Sequence, residues 1–361
     1  ASNFRFSAFY AESPENHVSI ALLYVGRTLM KVLITGGTGF IGEHYVRHLC
    51  QTHPDVKLCF TGRNLEKGNE LARSTGVHYY RGDLQDEPFV KLICKDVDVV
   101  VHCAAKSGIW GGYVDYFQSN VVTTEHLLSA AQHTGVRRFV NLGSPSIYFD
   151  YNDHLNVTED FLPPRFADNY ARTKFQAETR VLRAGSEQMK TLSLRPRFVV
   201  GPGDQSIFPR LIRLHQQGAL RQVGEGRNIV SMTSISNMML GLDCAVFGGD
   251  DICGDVYNVA DPQPVNLWDM VNQLMLLLEL PAVTRKISYG SAFVTASAAE
   301  AWHRLLRRKT EPDLMRHKVA VMGNSFTLNI ERAKRKLGYD PALCIDDTLE
   351  AFATWWRNQN H

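Results

Sequence analysis

An apolar β-branched run followed by spaced glycines, Lys31-Val-Leu-Ile-Thr-Gly-Gly-Thr-Gly-Phe-Ile-Gly42, constrains this chain more than any other stretch. Lys31 to Ile34 has the makeup of a strand buried on both faces of a parallel sheet. Gly36, Gly39 and Gly42 then lead into a helical pattern carrying Ile41, Tyr45 and Leu49, with Glu43 near its start. Strand, tight turn and helix N-terminus together make a cradle for a pyrophosphate. Gly36 permits the turn, Gly39 lets backbone N–H groups approach the phosphates, and Gly42 lets helix and strand pack closely. Thr38, Phe40 and Ile41 fill the positions between. Glycines also serve ordinary turns, so this motif gains weight only from the residues downstream of it.

Downstream, strands and helices alternate regularly. Val56 to Phe60 is a second apolar run, ending in Thr61-Gly62-Arg63-Asn64, where Asn64 is placed to cap a helix reaching about Ser74. His78 to Tyr80 is a third strand, followed by Asp83-Leu84, and Asp98 to His102 a fourth, leading into Cys103-Ala104-Ala105-Lys106. A long helical pattern runs from Tyr113 to Thr134 and stops at Gly135. Arg138 to Leu142 is a fifth strand ending at Gly143-Ser144, Tyr170 to Ala184 a helix, and Thr191 to Leu194 a sixth strand ending at Arg195-Pro196. This alternation calls for an α/β fold, a doubly wound parallel sheet of the Rossmann type. After Gly201-Pro202-Gly203 the rhythm changes. Pro209 to Gln217, Leu267 to Leu280 and Ile330 to Leu337 read as helices, and Val256 to Val259 as a strand that rejoins the sheet. Residues 30–200 are therefore expected to form a dinucleotide-binding domain, with a returning strand near 256–260. Residues 201–361 are expected to be mostly a smaller substrate-binding domain over the carboxyl ends of the strands, where ligands bind in open α/β sheets.

Composition narrows the class. With 361 residues, 44% hydrophobic and 21% charged, the chain can bury a large core, and its net charge of +2 gives no reason to expect nucleic acid as a partner. Its seven cysteines form no CxxC pair and no Cys/His metal spacing, so no metal site is expected. Cys59 and Cys103 fall within or at the end of apolar strands, as buried thiols in a reducing, cytoplasmic compartment would. No run approaches the ~20 apolar residues of a membrane span. Val18 to Gly26 is too short, and Glu12 and Glu15 precede it where a signal peptide carries positive charge. Met30 lies directly before the first strand, so residues 1–29 read as an extension outside the fold, with membrane association as the alternative.

The chemistry points to Tyr170-Ala-Arg-Thr-Lys174. On a helix, a spacing of four puts both side chains on one face. A free phenol, with a pKa near ~10, is a poor acid–base catalyst at neutral pH. A nearby ammonium is expected to lower it, letting the phenol give a proton to a carbonyl oxygen or take one from an alcohol. Ser144, at a strand's carboxyl end, is placed to hydrogen-bond a substrate oxygen, with Ser146 as rival. In the turn after the second strand, Arg63 stands with no carboxylate before Glu66. An acidic residue there would accept from a ribose 2′-OH, whereas an arginine meets a 2′-phosphate, so charge favours NADP(H) over NAD(H).

In this order the segments resemble the extended short-chain dehydrogenase/reductases. The resemblance rests on Thr35 to Gly42, Gly82-Asp-Leu84, His102 to Ala105, Asn120, Ser144-Pro-Ser-Ile-Tyr148, Tyr170 to Lys174, Arg195-Pro196, Tyr257-Asn-Val259 and Ala333 to Tyr339. It implies that Gly36, Gly39, Phe40, Ile41 and Gly42 hold the pyrophosphate, with Thr38 among the cofactor residues. Asp83 and Leu84 border the adenine, and Ala104, Ala105 and Lys106 flank the ribose near the nicotinamide. Asn120 also belongs to the cofactor set, and Pro196 and Phe198 lie beside the nicotinamide ring. Ser144, Tyr170 and Lys174 are the implied catalytic triad, Lys174 also holding the ribose. The family places its catalytic hydroxyl four residues before the Tyr148 position, favouring Ser144 over Ser146. Within the family, Ala104 to Gly112 is bulky and apolar, and Val230 stands where epimerases commonly carry an arginine, though Arg227 is near. Glu311-Pro312 and Val319 to Leu328 resemble the 3-beta-hydroxysteroid dehydrogenase branch, which is similar to 2-alkyl-3-oxoalkanoate reductases. The expected activity is hydride transfer between NADP(H) and a C3 carbonyl or hydroxyl of a lipophilic substrate. A nucleotide-sugar epimerase or dehydratase and a non-enzymatic dinucleotide-binding redox sensor are the alternatives. A homodimer through 113–134 and 170–184 is implied.

Overall fold

Val32, Leu33 and Ile34 have no accessible surface, as befits a strand covered on both faces. The computed structural model describes residues 29–306, 308 and 310–360. The expectation for the extension therefore falls almost wholly outside the described residues. Seven parallel strands form the central sheet: β1 (Lys31–Thr35), β2 (Lys57–Gly62), β3 (His78–Arg81), β4 (Val99–His102), β5 (Arg138–Leu142), β6 (Lys190–Pro196) and β7 (Val256–Val259). Their order across the sheet is β7-β6-β5-β4-β1-β2-β3. In register, Val32 lies between Leu58 and Val99, and Leu142 faces Leu194. The expected returning strand pairs with Ser193 to Pro196 and closes one edge. Because β2 and β4 flank β1 on opposite sides, the chain reverses its direction of growth there, and a crevice opens beyond the carboxyl ends of β1 and β4.

Alternate residues of β1 feed different cores. Val32 and Ile34 pack with Tyr45 and Leu49, and Leu33 packs on the opposite face with Val100, Leu127 and Phe139. The principal helices are α1 (Phe40–Thr52), α2 (Asn169–Arg183), α3 (Ile235–Phe247), α4 (Tyr289–Leu305) and α5 (Arg316–Gly323). Asn64 caps its helix as its spacing anticipates, accepting from the Lys67 amide at 3.1 Å. The long pattern from Tyr113 is not one regular helix. It is α-helical to Tyr116, widens to a π-helix over Phe117–Val122, and resumes as an α-helix over Thr123–Thr134.

The second half of the chain is more helical than expected and less separate. Helices α3, α4, α5 and Ile345–Asn360 and the strand His154–Val157 were not legible as elements. His154–Val157, Phe326–Leu328, Ile229–Val230 and Val265–Asn266 form a small second sheet. A further core gathers Phe208, Ile212, Trp268, Leu274 and Phe352. Yet Met238, Met239 and Leu242 of α3 share one core with Val32 and Ile34. The central sheet is thus covered in part by residues beyond 200.

Candidate functional site

The glycine turn is built for close approach. Gly36 has φ +70, and a Cβ there would lie 2.8 Å from the Ala104 amide nitrogen. At Gly42 a Cβ would lie 2.3 Å from the Gly36 carbonyl oxygen, so strand and helix meet with no room for a methyl group. Helix α1 begins after Gly39 without a side-chain cap, which leaves the N–H groups of its first turn for a ligand. Phe40 and Ile41 form that first turn, and Glu43 pairs with Arg47 at 3.0 Å. At Gly62 a Cβ would come within 2.5 Å of Thr38 Oγ1. A side chain at position 62 would thus crowd Thr38, and Arg63 is the first side chain beyond it. It lies 3.7 Å from the Asp83 carboxylate, with both side chains largely in water, while Leu84 is buried. Ala104, Ala105 and Lys106 leave β4 at the crevice. Asn120, on the widened helical turn, grips Lys106 by both backbone groups, at 2.7 and 3.1 Å. Pro196 ends β6, and Phe198 (φ +44) lies under the Arg197 guanidinium at 3.8 Å. Free backbone donors and a turn closed to side chains fit a dinucleotide.

Next to the cradle stand Ser144, Tyr170 and Lys174. Asp168 caps α2 by accepting from the Ala171 amide at 2.8 Å, which fixes the turn that carries Tyr170. Ser144 stands close enough to the phenol for its hydroxyl to loosen the phenol's hold on its proton. Ser144 and Ser146 are bonded to each other at 2.8 Å, so Ser146 stands as a partner of Ser144. Lys174 is buried, and its Nζ donates to the Leu142 carbonyl at 2.5 Å.

The electrostatics correct one expectation. Burial raises the Tyr170 phenol above its usual value, Ser144 pulls it down, and the Asp168 charge pushes it up. Lys174, whose ammonium is directed at the last carbonyl of β5, is not among the groups that shift it. Burial instead lowers the Lys174 ammonium to about 8, against the opposing pull of Glu178. Glu178 is itself clamped by Arg195, which also reaches the Tyr148 hydroxyl and the Glu159 carbonyl.

Several participants were given no role by the sequence, although His102 lies in a segment that carries the resemblance. His102 is buried, with Nδ1 2.8 Å from Thr35 Oγ1 and Nε2 3.0 Å from Thr124 Oγ1. Thr124 bonds the Asn120 carbonyl, and Asn120 bonds Thr173 on α2 at 3.2 Å. One hydrogen-bonded chain thus ties the end of β1 to the helix of Tyr170, with burial holding His102 down at about 3. Arg197 is 5% exposed and pairs with no carboxylate among the described residues; it lies over Phe198 and Phe326, and burial lowers it to about 9. His317, from α5, sits 3.2 Å from Asp168 and against Phe149. A cavity of about 820 Å³ opens between the start of α2, the loop after β4, and helices α4 and α5. Ile109, Trp110 and Met315 give it apolar wall, while Lys106, Arg304 and Arg316 line it together with the carboxylates of Asp115, Asp168 and Glu300. Trp110 is half-buried in this wall, outside the cores of the sheet.

Residues 33–286 match the model of the 3-beta hydroxysteroid dehydrogenase/isomerase family. A 2-alkyl-3-oxoalkanoate reductase of Stenotrophomonas maltophilia (strain K279a) is 35% identical, covering 89% of this chain and 97% of its own. The decarboxylating sterol-4-alpha-carboxylate 3-dehydrogenase of Mus musculus is 26% identical, covering 89% of each. Among solved structures, UDP-glucuronic acid 4-epimerase from Bacillus cereus, in complex with NAD, superposes with a TM-score of 0.73 at 22% identity, over 92% of this chain and all of that one. At that identity the likeness speaks for the fold. No helix among the described residues is long and apolar enough to cross a membrane. Fold, family model and relatives agree: the chain belongs to the 3-beta hydroxysteroid dehydrogenase/isomerase family, a branch of the extended short-chain dehydrogenase/reductases, and is an oxidoreductase.

Proposed function

We propose that the chain is an NADP(H)-dependent oxidoreductase acting at a C3 carbonyl or hydroxyl of a lipophilic substrate, a 3-oxo acid or a steroid-like ketone. The observation that carries this reading is the meeting of Ser144 and Tyr170 at the carboxyl end of β5, with Lys174 one turn further along α2. A nicotinamide bound there would supply or accept the hydride. In the reductive direction Tyr170 gives its proton to the carbonyl oxygen, and Ser144 hydrogen-bonds the same oxygen, held by Ser146. Lys174 holds the ribose. Gly36, Thr38, Gly39, Phe40, Ile41 and Gly42 hold the pyrophosphate, and Asp83 and Leu84 border the adenine. Ala104, Ala105, Lys106 and Asn120 flank the ribose, and Pro196 and Phe198 the nicotinamide.

Arg63 supports NADP(H), because it sets a solvent-exposed guanidinium at the turn after β2, where it can meet a 2′-phosphate in place of its exposed pairing with Asp83. A cavity with both apolar and charged wall suits a lipophilic body bearing a polar group. The reading includes a cytoplasmic homodimer through 113–134 and 170–184, which light scattering tests. Thermal-shift titration with NAD(H) and NADP(H), followed by NADPH oxidation across 3-oxoacyl, sterol and sugar-nucleotide substrates, tests the whole. Stabilisation by NADPH and turnover of a 3-oxo or sterol ketone are expected. Turnover confined to sugar nucleotides would make the chain an epimerase or dehydratase.

A further inference from the structure

Away from the cradle, the far end of α1 meets α3 at a carboxylate flanked by two imidazoles. His48 Nε2 lies 2.6 Å from Asp243 Oδ2, and His53 Nε2 lies 3.6 Å from the same oxygen. One donor atom from each of the three residues falls within 4.8 Å of the other two. A spacing of five sets side chains about 140° apart on a regular helix. His53, however, caps α1 in a non-helical conformation, and its ring comes round to Asp243. Phe247 of α3 stacks on that ring at 4.1 Å and holds it there.

A hydrogen bond alone does not account for this grouping. Imidazole is mostly neutral at pH 7, so His48 brings Oδ2 at most one N–H and no full charge. His53 stands too far from the carboxylate for a second bond. The other oxygen, Oδ1, is buried and accepts no hydrogen bond among the described residues; the buried Tyr45 hydroxyl is near the carboxylate but not at bonding geometry. Among the described residues, the ion-pair partners of Asp243 are these two histidines. Its side chain is only 21% exposed, and a carboxylate withdrawn from water is stable when it is paired or coordinates a metal. Two imidazole nitrogens and one carboxylate oxygen are donors that zinc takes, with water as a fourth ligand. Magnesium and calcium prefer oxygen donors throughout.

We infer that His48, His53 and Asp243 bind a divalent transition metal of the zinc class, which pins the end of α1 to α3. Zinc at about 2.0–2.1 Å from each donor sets the donors a little over 3 Å apart, so the histidines close on it by side-chain rotation. The half-buried His53 leaves a way in from solvent. Met238 and Leu242 of α3 share a core with Val32 and Ile34, so the metal joins the two halves of the chain. From Gly39 to His48 the helix rises about 13 Å, which makes the assigned role structural. No local spacing reveals the site, because Asp243 lies 195 residues beyond His48.

Calorimetric titration of the chelator-stripped full chain with Zn²⁺ tests it, on a Cys344→Ser background because that thiol is exposed. One equivalent should bind, and the melting temperature should rise with zinc concentration. His53→Gln and Asp243→Asn should each weaken binding at least about tenfold, since disturbing even a ligand's hydrogen-bonding partner costs that much. His53 is partly exposed, so its variant decides the matter if Asp243→Asn does not fold. Mg²⁺ should not bind at the concentrations where Zn²⁺ saturates. No saturable zinc binding would overturn the inference, and so would undiminished affinity in His53→Gln. Mg²⁺ bound as tightly as Zn²⁺ would overturn the assignment to the zinc class.

Discussion

Tyr170 is under opposing influences: burial and the Asp168 charge hold its proton on, and the Ser144 hydroxyl eases it off. Each gives a prediction at the scale of one residue. The Asp168 charge pushes the phenol up, so Asp168→Asn, which keeps an oxygen to cap α2, removes that push. The alkaline limb of the pH–rate profile is then expected to move downward. No change in the profile would mean that Asp168 does not act on the phenol. For Lys174 the sign runs the other way. Its folded value, about 8, lies below the ordinary 10.5, so the unfolded chain binds more protons between those limits and stability rises with pH across them. Lys174→Met should therefore abolish turnover while leaving the melting temperature at neutral pH unchanged or higher. A large loss of stability would show that the bond to the Leu142 carbonyl outweighs the burial of the charge. Arg63→Ala is expected to erase any preference for NADPH over NADH, read as the ratio of kcat/KM values.

At the scale of elements, the turn between β1 and α1 and the chain of bonds through His102 fix the site. Gly42→Ala places a methyl 2.3 Å from the Gly36 carbonyl oxygen. It should cost about 1–3 kcal/mol and weaken dinucleotide binding, as calorimetry would register. His102 is held at about 3 against an ordinary 6.5, so the unfolded chain binds more protons between those values. Its stabilising contribution is full above pH 6.5 and falls as pH drops below it, by up to about 1.4 kcal/mol per unit. His102→Leu should flatten that part of the acid limb and, by removing one buried hydrogen bond from each of Thr35 and Thr124, cost about 1–3 kcal/mol at neutral pH. The cradle was legible because its glycines have steric reasons visible in spacing alone. The Asn64 cap was legible for the same kind of reason. His102, Glu178 and Arg195 have roles set by partners far along the chain, and no local pattern encodes those pairings.

For the molecule as a whole, the sequence foretold the parallel sheet and its returning strand, since β-branched runs at regular spacing leave few alternatives. It did not foretell the cover. Helix α4 buries alanines and a glutamate and exposes valine, tryptophan and leucine, the reverse of the stripe by which a helix is usually recognised. The boundary near residue 200 is blurred for a related reason, because α3 and β7 complete the core of β1 from the far half of the chain. Residues 30–200 expressed alone are therefore expected to show no cooperative melting transition; a sharp one would mean that the first half is self-sufficient.

The central claim is that Tyr170 passes a proton to or from the substrate oxygen beside a dinucleotide held on the glycine turn. Tyr170→Phe keeps the ring and removes the proton, so NADPH binding and NADPH-dependent ketone reduction should be measured together on this variant. Cofactor affinity within about twofold of the parent, with turnover reduced at least about a hundredfold, is the predicted result. Near-parental turnover with cofactor still bound would contradict it.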